Sequence, residues 1–136
     1  MGTIERIQAV ASRVAKKHQD GHQLVVAVSA MSGETNRLIA LAKEIDENPC
    51  SREMDVLVST GEQVTIALLC MALNKIGLEA RSYTGGQVRI LTDNAHGKAR
   101  IKEMVGTSLS FRATRRACDQ LGCKGSLLIS NPCSVI

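Results

Sequence analysis

Residues 24–45 read Leu24-Val25-Val26-Ala27-Val28, then Ser29-Ala30-Met31-Ser32-Gly33, then Glu34-Thr35-Asn36-Arg37-Leu38-Ile39-Ala40-Leu41-Ala42-Lys43-Glu44-Ile45. This stretch decides the fold class. Its first five residues form a continuous apolar run rich in β-branched side chains, which predicts a strand covered on both faces. The next five are small and turn-forming. From Glu34 onward, Leu38, Ile39, Leu41, Ala42 and Ile45 return at helical spacing, which predicts a helix over 34–45. Strand, glycine turn and helix in this order indicate an α/β layered fold.

Working outward, Ile4, Ile7, Val10, Ala11 and Val14 recur at three- and four-residue steps with charges between them. An amphipathic helix over residues 3–18 follows, ended by Asp20-Gly21. Downstream, Asn48-Pro49 breaks the chain, and residues 51–57 read as a short helix with Ser51 as its cap. Ser59-Thr60-Gly61 reads as an interruption. Residues 64–76 are then apolar almost all round, which predicts a centrally buried helix, ended by Gly77 in the position favoured for a left-handed cap. A short strand is expected over 78–83. Extended pieces are expected near 87–91 and 98–101, around the polar turn 93–97. Weaker signals suggest a helix over 110–121 and a strand over 127–129.

The length of 136 residues suits one domain with a buried core. Tyr83 and Phe111 are the only aromatic residues, so the core must be aliphatic. The same scarcity argues against a stacking surface for single-stranded nucleic acid. The net charge is +4, and three of those charges fall within residues 102–136. Arg115-Arg116 there reads as a solvated pair, and no nucleic-acid partner is expected. No apolar stretch is read as reaching the roughly 20 residues of a membrane span. Five cysteines without paired C-x-x-C spacing predict free thiols in a reducing cytoplasm and no metal site.

Two segments combine a break, small residues and a helix start. The first is 29–36, where backbone N–H groups at a positive helix end attract an anion and Thr35 adds a hydroxyl. The second is Ser59-Thr60-Gly61-Glu62, where Glu62 is read as opening an apolar helix at the rim of a pocket. Each has a plainer reading, as a connecting turn and as a dipole-favoured acid. Together they suit an α-amino acid, which carries an anion and a cation close together. Thr84-Gly85-Gly86-Gln87 offers a third wall or simply a turn, and His96 has no evident acid or nucleophile partner. Neither G-x-x-x-x-G-K-[ST] nor G-x-G-x-x-G occurs, so no familiar phosphate cradle is present.

Four blocks in order resemble the aspartate kinases over about residues 2–101. They are 24–36, Arg52-Glu53-Met54-Asp55 running into Ser59-Thr60-Gly61-Glu62-Gln63, Ser82-Tyr83-Thr84-Gly85-Gly86-Gln87, and 93–101. The resemblance implies the amino acid kinase fold, a three-layer αβα sandwich. It implies transfer of the ATP γ-phosphoryl to the β-carboxylate of L-aspartate, with Mg²⁺, opening lysine, threonine and methionine biosynthesis in the cytoplasm. It also implies a homo-oligomer. Carried over by position, Thr35 and Glu62 bind aspartate, while Ser29 and Ala30 line the pocket wall.

The resemblance also sets out departures. The family's first strand and its Lys-Phe-Gly-Gly-Thr-Ser loop have no counterpart here, and its Gly-Arg-Gly-Gly-Ser-Asp loop is not recognisable in residues 102–136. The expectation is therefore a partial kinase domain over 1–101 and an unassigned, aberrant continuation over 102–136, with Met1 an internal start. No turnover is expected of this chain by itself. The alternative is a non-catalytic α/β module that binds a small amino acid or a kinase subunit.

Overall fold

The structure, a computed structural model, describes residues 2–22, 24–84, 87, 90–94, 101–104 and 126–130. In chain order these form α1 (Ile4–Gln19), β1 (Val25–Ala27), α2 (Glu34–Ile45), α3 (Ser51–Lys75), β2 (Ala80–Thr84), β3 (Ile90–Thr92), β4 (Ile101–Met104) and β5 (Ser126–Ser130). The expected helix over 110–121 and His96 lie outside the described residues.

Helix α1 starts where its sequence says it should. The Thr3 hydroxyl accepts from the Arg6 N–H at 3.3 Å, a side-chain cap for one of the orphan donors of the first turn. It ends with Gly21 at φ 87°, the Gly21 N–H on the His18 carbonyl and the His22 N–H on the Lys17 carbonyl. That pair of bonds is a Schellman closure. Helix α3 ends in the same way. Gly77 has φ 83°, and the Gly77 and Leu78 N–H groups donate to the Asn74 and Leu73 carbonyls, both at 3.0 Å. The Asn74 side chain then accepts from the Ala80 N–H at 2.9 Å, pinning the first residue of β2 to the end of α3.

Strand β5 lies between β1 and β2 and runs antiparallel to both, pairing Leu128 with Val26 and with Ser82. Strands β1 and β2 therefore run parallel to each other with β5 between them. The run at 127–129 thus has two partners that its own sequence does not reveal. Strands β3 and β4 form a separate antiparallel pair. The segment 24–28 is half-buried along its length, where full cover on both faces was expected.

The core joins Ile7, Ala11 and Val14 of α1 to Leu69, Cys70 and Leu73 of α3 and Ala80 of β2. It is aliphatic, as the composition requires. Burial raises the Cys70 thiol above its ordinary pKa, opposed in part by a hydrogen bond with Ser82, so Cys70 packs as a small hydrophobe.

One expectation fails. The sequence suggests two helices separated at 59–61, but α3 is continuous from Ser51 to Lys75. The Ser59 and Thr60 hydroxyls donate backward, to the Val56 and Leu57 carbonyls at 2.8 and 2.7 Å. They are satisfied within the helix and cap nothing. Ser51 is not the cap either: Cys50 occupies that position, with no side-chain cap bond.

The merger also corrects the reading of apolar length. Helix α3 has 25 residues and an 18-residue window of mean hydropathy 1.7, enough by length and composition to cross a membrane. In this fold it packs against α1, α2 and β2 and buries Val58, Gly61, Thr65, Ile66, Leu69, Cys70 and Leu73. It is the central helix of a layered domain.

Leu69 is fully buried at the centre of that packing. Leu69→Ala is expected to lower stability by about 2–5 kcal/mol, because the surroundings collapse only partly into the space left. Urea unfolding followed by circular dichroism measures this, and a loss below about 1 kcal/mol would place Leu69 outside the core.

Candidate functional site

The turn between β1 and α2 is shaped by Gly33, which sits in the left-handed region at φ 82° and supplies no side-chain cap. The Glu34 N–H donates to the Met31 carbonyl at 3.0 Å, and the Arg37 N–H to the Gly33 carbonyl at 2.9 Å. The Thr35 and Asn36 N–H groups have no backbone partner among the described residues. Two donors at the positive end of a helix are left for an anion. Thr35 itself is half-buried, with its hydroxyl one residue into the helix.

Gly61 brings α3 against this turn. A Cβ on Gly61 would lie 3.0 Å from the Ala30 Cβ, 3.4 Å from the Glu34 Cγ and 3.5 Å from the Leu38 Cδ1. Glycine within a helix costs about 1 kcal/mol against alanine. Here it permits a backbone approach that no side chain allows. The two predicted segments therefore meet: the residue before Glu62 touches Ala30 and the first turn of α2, which carries Thr35.

Glu62 lies in the interior of α3 and does not open it; that part of the expectation is corrected, and the helix dipole does not explain the residue. The Glu62 side chain is half-buried, and its Oε2 is buried without a hydrogen-bond partner. A carboxylate oxygen in that condition is costly unless a donor reaches it. Beside it, Arg37 grips Glu34 with both arms, Nε to Oε2 at 2.9 Å and Nη2 to Oε1 at 2.7 Å. The Arg37 hydrogen bond holds the Glu34 carboxyl below the usual carboxylate range. Glu34 is thus already occupied, and Glu62 is the acid with a vacant acceptor.

Of the expected site residues, Ala30 is buried, Thr35 and Glu62 are half-buried, and Ser29 is exposed at the end of the β1 segment. Gly61 and Glu34 were not picked out as contributors. A glycine flanked by apolar helical periodicity was the available signal for Gly61, and it was read as a break. Of the expected third wall, Gly85 and Gly86 lie outside the described residues, and the Gln87 side-chain oxygen accepts from the Thr84 N–H at 2.8 Å. Among the described residues no three His, Cys, Asp or Glu side chains gather as a metal site.

The sequence profile of the amino acid kinase family matches residues 1–128. The aspartate kinase Ask_LysC of Stutzerimonas stutzeri is 66% identical over 104 residues, covering 76% of this chain and 25% of that protein. An aspartokinase of Pseudomonas aeruginosa is 63% identical over 109 residues, covering 80% and 26% respectively. The crystal structure of an aspartate kinase from Synechocystis superposes with a TM-score of 0.54 at 60% identity, over 55% of this chain and 13% of that one. The chain spans about a quarter of the length of these curated relatives.

Gly61→Ala is expected to destabilise the chain by about 1–3 kcal/mol through overpacking, although alanine is the better helix former. Combining it with Ala30→Gly is expected to recover part of the loss, and thermal melts of the two single variants and the double variant measure the coupling. A stabilised Gly61→Ala variant would mean that α3 does not approach the turn.

Arg37 lowers the Glu34 pKa in the folded state. The stability this confers is present above the unfolded-state pKa and is lost as pH falls through the lower folded value. Carboxyl NMR titration is expected to show the Glu34 midpoint rising in Arg37→Gln, and an unmoved midpoint would count against the ion pair.

Proposed function

Because the chain belongs to the amino acid kinase family, we propose that it carries the aspartate-binding part of an aspartate kinase. The buried, unpartnered Oε2 of Glu62, one residue from the contact between α3 and the Ala30–Glu34 turn, is the observation on which this reading rests. Its carboxylate takes the α-ammonium group of L-aspartate. The Thr35 hydroxyl and the free N–H groups at the start of α2 take a carboxylate, and Ser29 and Ala30 form the wall beside the reacting end.

The reaction is phosphorylation of the β-carboxylate. A β-carboxylate oxygen bonds to the γ-phosphorus of ATP, the bond from that phosphorus to the bridging oxygen breaks, and ADP leaves with the electron pair. The product is 4-phospho-L-aspartate. Catalysis of such a transfer is chiefly positioning and charge neutralisation. The part assigned to this chain is to hold the amino acid by opposite charges so that the β-carboxylate is directed outward. ATP with Mg²⁺ supplies the phosphoryl group and charge neutralisation.

In this reading the aspartate-binding part lies in residues 1–101, the fold completes a three-layer αβα sandwich, and residues 102–136 are a distinct segment that lends β5 to the sheet. The setting is the cytoplasmic synthesis of lysine, threonine and methionine.

Calorimetry with L-aspartate tests the assignment. Glu62→Gln is expected to weaken binding about 10- to 100-fold, the worth of a hydrogen bond to a charged group. Succinate, which lacks the ammonium group, is expected to bind both proteins equally weakly. Equal aspartate affinity in wild type and Glu62→Gln would remove Glu62 from the site.

A further inference from the structure

Strand β5 is what makes one sheet of β1 and β2. Among the described residues it is the one strand that pairs with either of them. At about 4.8 Å per strand it holds them about 10 Å apart. Strand β1 brings only three residues, Val25–Ala27, to that ladder. All the residues that β5 pairs with lie more than 40 positions away, so its docking carries a loop-closure cost that no local contact offsets.

The register sets the two halves of the aspartate site at one end of this sheet. The Asn74 side chain of α3 bonds the Ala80 N–H, and Cys70 shares a hydrogen bond with Ser82. Four helical residues rise about 6 Å and two strand residues about 6.6 Å, so α3 runs antiparallel to β2 and in step with it. The next step sets Ile66 level with Thr84, the last residue of β2, and Glu62 one turn beyond the strand. On the other side β1 ends at Ala27, and the chain enters the turn where Ala30 meets Gly61. Strand β5 begins at this same end, with Ser126 paired to Thr84 and Leu127 to both Ala27 and Tyr83. Its ladder therefore spans the gap between the strand that delivers the turn and the strand under the helix of Glu62. The carboxyl ends of such strands are where a layered α/β sheet opens its ligand crevice.

We propose that β5 is the positioning element of the aspartate site, so that its docking between β1 and β2 and the binding of the amino acid are one linked equilibrium. This rests on the assignment of Glu62 and the start of α2 to the two charges of aspartate. A ligand held by opposite charges needs both anchors at one separation. Glu62 rides on α3, which is tied to β2 through Asn74. The N–H groups of Thr35 and Asn36 follow β1, and β5 is the strand that joins β1 to β2. With β5 undocked, the two anchors share packing contacts alone. The ligand then binds the docked form more tightly, and by reciprocity it raises the docked population.

Amide hydrogen exchange on the full 136-residue chain, read by NMR, tests this. Without ligand, the Leu127, Leu128 and Ile129 amides are expected to exchange faster than those of Leu69 and Leu73, the mark of an opening short of global unfolding. L-Aspartate at about ten times its Kd is expected to slow the β5 amides about tenfold. The Leu91 amide of the separate β3–β4 pair is expected to stay unchanged. In Glu62→Gln the same aspartate concentration is expected to slow the β5 amides about twofold or less. Leu128→Pro removes a ladder N–H and is expected to weaken aspartate binding about tenfold while keeping a cooperative melt; if that variant does not fold, the exchange rates decide alone. Unchanged affinity in a folded Leu128→Pro would overturn the coupling. So would β5 amides as slow as that of Leu69, or unmoved by aspartate that binds through Glu62, and in these cases the site assignment stands. Equal aspartate affinity in wild type and Glu62→Gln would overturn both.

Discussion

The approach of α3 to the turn after β1 is the constraint on which the rest of the molecule depends. At Gly61 the helix backbone comes so near Ala30 that an added Cβ would sit 3.0 Å from the alanine methyl. That contact sets the height of α3 over the sheet. It thereby sets where Leu69 and Leu73 enter the core with Ile7, Ala11 and Val14. It also brings Gly61, the residue before Glu62, against Glu34 in the first turn of α2. In the proposed reading packing and binding share one steric condition, so a change that loosens the first is felt by the second.

Electrostatics then separates the two acids near that contact. Glu34 and Glu62 both stand close to Gly61 in sequence or in space, yet their environments differ. Arg37 grips Glu34 with two hydrogen bonds and keeps it ionised as part of the scaffold. Glu62 has a buried oxygen with nothing to accept from. With Glu34 saturated from within, Glu62 is the acceptor that the proposed reading assigns to the ligand cation. The free Thr35 and Asn36 N–H groups supply the opposite polarity. In the proposed reading a zwitterion satisfies both at once.

Much of this was legible in the residues, and what was not has physical causes. Helices α1 and α2 carry amphipathic periodicity, and glycine marks the end of α1, so their limits follow from spacing and cap chemistry. The turn after β1 was legible because small residues stand between an apolar run and a helical one. Helix α3 was misread because Ser59, Thr60 and Gly61 together look like a breaker. Serine and threonine can satisfy themselves on carbonyls one turn back, and glycine can be retained for close approach. Neither choice is visible without the partner surface. Strand β5 is a tertiary fact of the same kind: Leu127–Ile129 reads as a strand, but its place between β1 and β2 depends on pairings more than 40 residues distant.

The near-absence of amphipathic contrast in α3 has a single origin. A helix that must fill a core on one side ordinarily shows polar residues on the other, and the contrast reveals its boundaries. Here Val56, Val64 and Met71 occupy the side away from the core, so periodicity fades and the segment reads as buried all round. The same residues that blur the signal leave α3 with exposed apolar side chains away from the core. Apolar residues on an outward helix face weaken solubility and gain nothing for the core of one chain. The exposed apolar face thus explains why residues 64–76 read as buried all round, whereas the misplaced start of α3 comes from Ser59, Thr60 and Gly61.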